Sequence, residues 1–219
     1  MNEVTAWLVD DRVTTRGVAD LYALLDHDER RRADCKDTED GRRRFVVAHG
    51  AVRRIAGEYL GAPPGELTWR IGRHGKPELD GRWTGVEVNL SHSGGLCLIA
   101  LSDKRAVGVD VQRHVPGLAV VAMARRYFAP QEAESVAEAD DPVETFARLW
   151  ARKEAVSKAA GGRLTQILPL PTTDHAVVET PSSAYRVLDL GTGIPAGFRA
   201  AVACEGRAPF SVDLVPWRP

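Results

Sequence analysis

Apolar residues fall along this chain in two periods, one of about two residues and one of about 3.6. Val4 to Val9 alternate loosely around Trp7, which predicts a first strand. Leu21 to Leu25 open a helical pattern, and Asp26 to Arg32 continue it with strong charge. From Asp40 onward Phe45, Val46, Ala48, His49, Val52, Ile55, Ala56, Tyr59 and Leu60 recur at helical spacing, and Gly61 closes that helix as a C-cap residue. Ala62-Pro63-Pro64-Gly65 is a turn, Leu67 to Ile71 a short strand, and Gly72 to Pro77 a second turn. Val86 to Leu90 and Leu96 to Leu101 read as apolar strands joined by a loop, Ser91-His92-Ser93-Gly94-Gly95. Asp103-Lys104-Arg105 then turns the chain into the strand Val107 to Val111.

Beyond Asp110 the pattern partly repeats. Val120 to Tyr127 and Pro130 to Ala137 are helical, and Asp141-Pro142 opens a third helix that runs to about Ala160, ended by Gly161-Gly162. Short strands follow at Ala176 to Glu179, Tyr185 to Leu190, Phe198 to Cys204 and Phe210 to Val215. Helices followed by antiparallel strands, twice over, predict an α+β chain of two similar lobes. The expected boundaries are 1–111 and 112–219, joined near Val111 to Gly117.

Composition narrows the class without naming it. The 219 residues, 44% hydrophobic and 27% charged, are those of an ordinary globular chain with a sizeable core. A formal net charge of -1 argues against binding nucleic acid by bulk electrostatics. Charge is uneven, because Arg30, Arg31, Arg32, Lys36, Arg42, Arg43, Arg44, Arg53 and Arg54 crowd one segment. Such a run is either a solvated helix face or a phosphate-binding patch. Cys35, Cys97 and Cys204 have no paired spacing, so neither a disulfide framework nor a zinc site is expected. Glu3 and Asp10 interrupt any apolar leader, and no run is long enough to span a membrane, so a cytoplasmic protein is expected.

Two stretches could carry chemistry. Asp110 ends the β-branched run Val107-Gly108-Val109-Asp110-Val111-Gln112, where an aspartate after a strand is commonly a turn former. Glu154 and Lys158, one helical turn apart in Trp150-Ala-Arg-Lys153-Glu154-Ala155-Val-Ser-Lys158, share a face and could be a plain i,i+4 pair worth roughly 0.2–0.5 kcal/mol. His92 between two serines could simply be a capping residue. Should the fold bring Asp110 beside the Glu154 face, two carboxylates and an ammonium converge, and that set can hold a hard cation over a phosphate.

These stretches together resemble the paired signature of the 4'-phosphopantetheinyl transferases, with the length of the larger monomeric type that primes carrier proteins of nonribosomal peptide and polyketide synthases. Gly75-Lys76-Pro77 is similar to that family's Gly-Lys-Pro turn, and Asn89-Leu90-Ser91-His92-Ser93 to its Asn-(apolar)-Ser-His-Ser segment. Arg44 and Arg53 are similar to two helix arginines ahead of these. The resemblance implies two related lobes in pseudo-twofold arrangement with the active site in the cleft between them. It implies a monomer that moves the phosphopantetheine arm of coenzyme A to a carrier-protein serine and releases 3',5'-ADP. It further implies Mg2+ on Asp110 and Glu154, with Lys158 neutralising phosphate charge and Glu154 as the base. Arg44, Arg53, Lys76, Pro77, Ser91, His92, Asp110 and Lys158 are then the coenzyme A contacts.

One position departs from the pattern. Many members carry a second acid two residues past the aspartate, where this chain has Gln112, so a thinner metal shell with an amide as third ligand is expected. Arg32 is the expected contact for the 3'-phosphate, and an apolar patch near Tyr127-Phe128 the expected docking surface for the carrier protein. The alternative is a non-catalytic homologue that binds coenzyme A or the carrier protein, which Gln112 favours and intact Asp110, Glu154 and Lys158 oppose. An unrelated nucleotide enzyme would need a Gly-rich phosphate loop, and Gly191-Thr-Gly193 is too short for one.

Overall fold

Capping chemistry divides the first helical stretch in two. In the computed structural model, which describes residues 4–72, 76–103, 105–173 and 177–218, helix α1 spans Thr15–Leu24 and α2 spans His27–Asp34. The Asp26 side chain accepts from Glu29 N–H while the Glu29 carboxylate accepts from Asp26 N–H, a capping box that starts a new helix. The single helix expected from Leu21 through Arg32 is corrected by that box. Helix α3, Glu39–Leu60, ends at Gly61, whose φ of +63° only glycine adopts without strain.

Strand β1 is Val4–Asp10, and β2 (Trp69–Ile71) pairs with β3 (Pro77–Leu79) in a small ribbon. Arg73, His74 and Gly75 lie outside the described residues, and with them the glycine of the Gly-Lys-Pro turn. Strands β4 (Glu87–Ser93) and β5 (Leu96–Ser102) form a hairpin whose turn is only Gly94 and Gly95, both at positive φ. Ser91, His92 and Ser93 are therefore strand residues rather than loop, and the period-two pleat sends their side chains to alternate faces. Asn89, Ser91 and Ser93 share one face; Leu90 and His92 share the other.

The first sheet has the order β10-β1-β5-β4. Its edge strand β10, Val212–Trp217, runs parallel to β1, so the end of the chain completes the sheet of the beginning. The expected division at residue 111 does not hold for that strand. The second sheet, β6-β9-β8-β7, is antiparallel and built from Val107–Arg113, Phe198–Glu205, Ala184–Leu190 and Val177–Glu179. Helices α4 (Val120–Tyr127), α5 (Pro130–Glu138), α6 (Pro142–Ala159) and α7 (Leu164–Ile167) fill the segment between β6 and β7.

Burial explains the layering. Val9, Ile99 and Leu101 pack under α1 and α3 with Leu21, Val47 and Ile55. The opposite face of the same sheet, with Val4, Leu98 and Ala100, meets Val107, Val109 and Val202 of the second sheet. That sheet's far face in turn receives Ala151, Ala155 and Val156 of α6. The result is helix, sheet, sheet, helix. Strand β5, covered on both faces, is buried at every residue, which is why it reads as one continuous apolar run. Among the described residues no helix is long and apolar enough to cross a membrane.

Two contacts fix the rotation of α6. Gly108 on β6 lies so close to α6 that an added Cβ would meet the backbone at Ala155 O and Ala159 N. On its other side Lys153 is fully buried, its Nζ 2.6 Å from Glu132 Oε2 of α5 and donating at 2.5 Å to Leu170 O. Glu132 Oε1 accepts from Thr172 N–H at 2.6 Å and from the hydroxyls of Thr172 and Thr173.

Gly108→Ala must push β6 off α6, and overpacking of this kind costs about 1–3 kcal/mol. A lower denaturant midpoint at unchanged slope is expected; an unaltered midpoint would show the contact to be soft. Breaking the buried pair with Glu132→Ala leaves an uncompensated ammonium and costs about 3–5 kcal/mol. Burial opposes ionisation of Glu132, but the Lys153 ammonium and the Thr172 donors outweigh it and hold the carboxyl below the ordinary glutamate range. With the folded-state value depressed, this stabilisation is present above the unfolded value of 4.5 and is lost as pH falls through the folded one. Calorimetry should therefore show a weaker acid dependence of the melting temperature below that pH in Glu132→Gln than in the native chain.

Candidate active site

The edge strands β4 and β6 run side by side at the junction of the two sheets, and side chains join them. Asn89 Oδ1 accepts from Val109 N–H at 2.9 Å, Ser91 Oγ donates to Asp110 Oδ1 at 2.6 Å, and Ser93 Oγ accepts from Arg113 N–H at 3.1 Å. Asp110 is only 5% exposed. Its Oδ1 also accepts from Lys158 Nζ of α6 at 2.7 Å. Its Oδ2 is buried and, among the described residues, has no hydrogen-bond partner. Burial raises the Asp110 carboxyl above its ordinary value, and the Lys158 and Ser91 contacts only partly offset it.

Glu154, one turn before Lys158, is half-buried on the same helical face. Burial raises its carboxyl too, with Lys158 pulling down and the neighbouring Asp110 pushing up. The two acids thus feel each other across the gap between β6 and α6. A cavity of about 350 Å³ opens here, walled by Lys76, Pro77 and Leu90 on one side and by Glu154, Ser157 and Lys158 on the other. Asp110, Glu154, Lys158 and Ser91, expected together from the sequence, meet in one place.

A second, larger cavity of about 420 Å³ lies beside it, lined by Arg32, His49, Pro77, Leu90 and His92. Partial desolvation lowers the His92 pKa, and the cations Lys158, His49, Arg44 and Lys36 lower it further. Basic groups from α2, α3, α6 and the α2–α3 connection therefore surround this imidazole. Phe45 organises them: His49 stacks on its ring at 4.0 Å, and Arg32 and Lys36 each sit 5.1 Å from the ring centroid. Lys36 and His49 were not among the expected site residues. The signal for them was the i,i+4 spacing of Phe45 and His49, visible in the sequence but assigned there to the core stripe.

The remaining expected contacts divide. Arg44 is half-exposed at the rim, paired with Asp40 at 2.9 Å and Asp11 at 3.5 Å. Lys76 Nζ is 2.7 Å from Glu87 Oε2, and Pro77 borders both cavities. Gln112 stands two residues along β6 from Asp110, hence on the same face, with its amide nitrogen donating at 3.3 Å to Arg113 O. Arg53 is a correction. It is 1% exposed, ion-paired with Asp26 and Glu29, and donates to Pro64 O and Leu67 O at 3.1 Å each. Four of its five N–H donors are spent tying α2 to α3 and to the turn beyond, and it lines neither cavity. Phe128, expected on an exposed patch, is buried and stacked on Phe146 at 5.1 Å; the exposed apolar groups nearby are Tyr127, Leu118 and Val115.

Among the described residues no cluster of three or more His, Cys, Asp or Glu side chains is positioned to hold a metal. Two carboxylates are what the site offers. The orphaned Asp110 Oδ2 fits one oxygen ligand of a hard cation, and Mg2+ accepts a site of one or two carboxylates completed by water and phosphate oxygens.

Comparison with known proteins agrees with this chemistry. Residues 106–208 match the family model described as the 4'-phosphopantetheinyl transferase superfamily. The chain is 33% identical over 197 residues to the 4'-phosphopantetheinyl transferase HetI of Nostoc sp. (strain PCC 7120), an alignment covering 86% of this chain and 83% of that relative. It is 34% identical over 154 residues to a putative 4'-phosphopantetheinyl transferase, slr0495, of Synechocystis sp. (strain PCC 6803), covering 67% and 63%. Over 129 residues it is 34% identical to the 4'-phosphopantetheinyl transferase AcpT of Escherichia coli O157:H7, covering 58% and 66%. With Asp110, Glu154 and Lys158 inside the matched region and one-third identity across most of its length, the chain belongs to the 4'-phosphopantetheinyl transferase superfamily.

Proposed function

We propose that this enzyme transfers the 4'-phosphopantetheine arm of coenzyme A to a serine hydroxyl of an apo carrier protein, with Mg2+ bound and 3',5'-ADP leaving. The observation that carries the reading is the half-partnered Asp110, its Oδ1 held by Ser91 and Lys158 and its Oδ2 buried without a donor. A buried acceptor left unpaired costs about 1–3 kcal/mol, which a cation ligand would recover. The two halves of the molecule are then related lobes in pseudo-twofold arrangement, and the two cavities, one between β4 and α6 and the other between β4 and helices α2 and α3, together take coenzyme A.

Each residue has a role that its surroundings support. Lys36, Arg44, His49 and His92 hold phosphates of coenzyme A, Arg as a planar fork and Lys as a point charge. Lys76 and Pro77 border the bound molecule where the two cavities meet. Lys158 neutralises charge on the phosphorus under attack. Glu154, raised by burial, takes the proton from the carrier serine as its oxygen bonds to that phosphorus and the pyrophosphate bridge to 3',5'-ADP breaks. When bound to Asp110 and Glu154, Mg2+ supplies charge stabilisation of the pyrophosphate oxygens. Gln112 completes the metal shell through its amide oxygen or a water. Positioning and charge stabilisation together account for an in-line displacement of this kind.

The carrier proteins are those of nonribosomal peptide or polyketide synthases, approached by the monomeric enzyme through Val115, Leu118 and Tyr127, which present apolar surface beside the catalytic lobe.

Incubation with coenzyme A, Mg2+ and several apo carrier proteins, followed by intact-mass measurement, should show addition of the arm; no gain on any carrier refutes the reaction. Glu154→Gln should lower kcat by about 100-fold or more while leaving the melting temperature near that of the native chain. Gln112→Glu restores a third acid, so activity should persist with half-saturating Mg2+ lowered several-fold. An inactive Gln112→Glu variant that still folds would show that the neutral amide is required.

A further inference from the structure

Strands β4 and β6 border different sheets, so no main-chain ladder fixes their register. What joins them is the row of side chains on one face of β4. One of its three bonds is made by Asn89, a residue 8% exposed whose Oδ1 takes the Val109 amide hydrogen that β6 turns away from β9. Val109 immediately precedes Asp110. That amide belongs to the Gly108–Val109 peptide, so the bond anchors β6 just ahead of Asp110, and with it whether Oδ1 reaches both Ser91 Oγ and Lys158 Nζ. We infer that Asn89 is a positioning residue for the transfer reaction, holding the Val109–Asp110 backbone so that Asp110 Oδ2 is left presented as the ligand oxygen.

The inference rests on the transferase reading above and adds a residue that borders both cavities but has no contact to metal or phosphate assigned in that reading. Chemistry favours an amide for the task. An apolar side chain would leave that buried donor unpaired. A carboxamide oxygen accepts at this reach without adding a charge beside Asp110 and Glu154. Orienting groups behind a ligand commonly change metal affinity or activity by about 10- to 100-fold when removed.

The test compares Asn89→Ala with the native protein in three readouts: kcat against the KM for coenzyme A, the rise in melting temperature on adding Mg2+ without substrate, and amide exchange at Val109. Expected for Asn89→Ala are a kcat lowered about tenfold or more, a coenzyme A KM within about threefold, a smaller Mg2+-induced rise, and faster exchange at Val109. A lowered melting temperature with kcat and the Mg2+ response unchanged would overturn the inference, because the bond would then serve only the fold. A raised KM with kcat retained would overturn it as well, because Asn89 would then be a substrate contact. Should Asn89→Ala fail to fold, Asn89→Asp keeps the acceptor at the same reach and must restore both folding and native-like exchange at Val109; failure there also overturns it. Absence of transfer by the native protein would instead count against the transferase reading, while the Mg2+ response and the Val109 exchange still judge Asn89.

Discussion

A carboxylate that is nearly buried yet satisfied at only one oxygen is the constraint on which this structure turns. Removing Asp110 from water raises its carboxyl, and one lysine with one serine does not fully restore the charged form. Proteins rarely tolerate buried acceptors without donors, so the surrounding structure must hold this one in place. Three elements do so from three directions: β4 through Ser91, α6 through Lys158, and β6 through its own pairing with β9, where Asp110 lies opposite Ala201.

The same constraint explains why α6 is held so firmly. Glu154 and Lys158 are useful only if the helix presents that face to Asp110. Gly108 lets the helix backbone rest directly on β6, and the buried Lys153–Glu132 pair grips the opposite side. Trp150 adds a third hold by packing on Phe128 at the end of α4, 6.4 Å between ring centroids. Adjacent residues thus serve opposite ends: Lys153 faces the core and Glu154 the cavity. An α-helix separates neighbouring side chains by about 100°, which is what allows one to anchor while the next faces the cavity.

Much of this was legible in the sequence because the strongest signals were local. Asp110 after Gly108, and Glu154 one turn before Lys158, depend on a single strand and a single helix, and both elements lie where the period of apolar residues puts them. What was not legible depends on partners far along the chain. Arg53 looks like any other basic helix residue until Asp26 and Glu29 fold back onto it. The parallel pairing of β10 with β1 joins residues about two hundred positions apart, which no local pattern encodes. Ser91-His92-Ser93 read as loop because serine, histidine and glycine are turn formers; only the two glycines make the turn, and the polar strand residues are explained by the strand they bridge to.

Arg53 also resolves an electrostatic conflict in the larger cavity. Asp26 and Glu29 lie on the same wall as Arg32, His49 and His92, and two carboxylates beside a phosphate cradle would repel the ligand. Both acids face the buried guanidinium, which pairs with each of them. Burial opposes ionisation of Glu29, but its bonds to His49 and Arg53 hold its carboxyl below the ordinary range, so it stays charged and compensated. His49 Nδ1 is 3.5 Å from Glu29 Oε1, which fixes the imidazole against Phe45 and leaves its ring within reach of His92. The buried arginine therefore compensates Asp26 and Glu29 without lining the cavity itself, and Asp28, a third acid on that wall, lies 3.4 Å from Arg31.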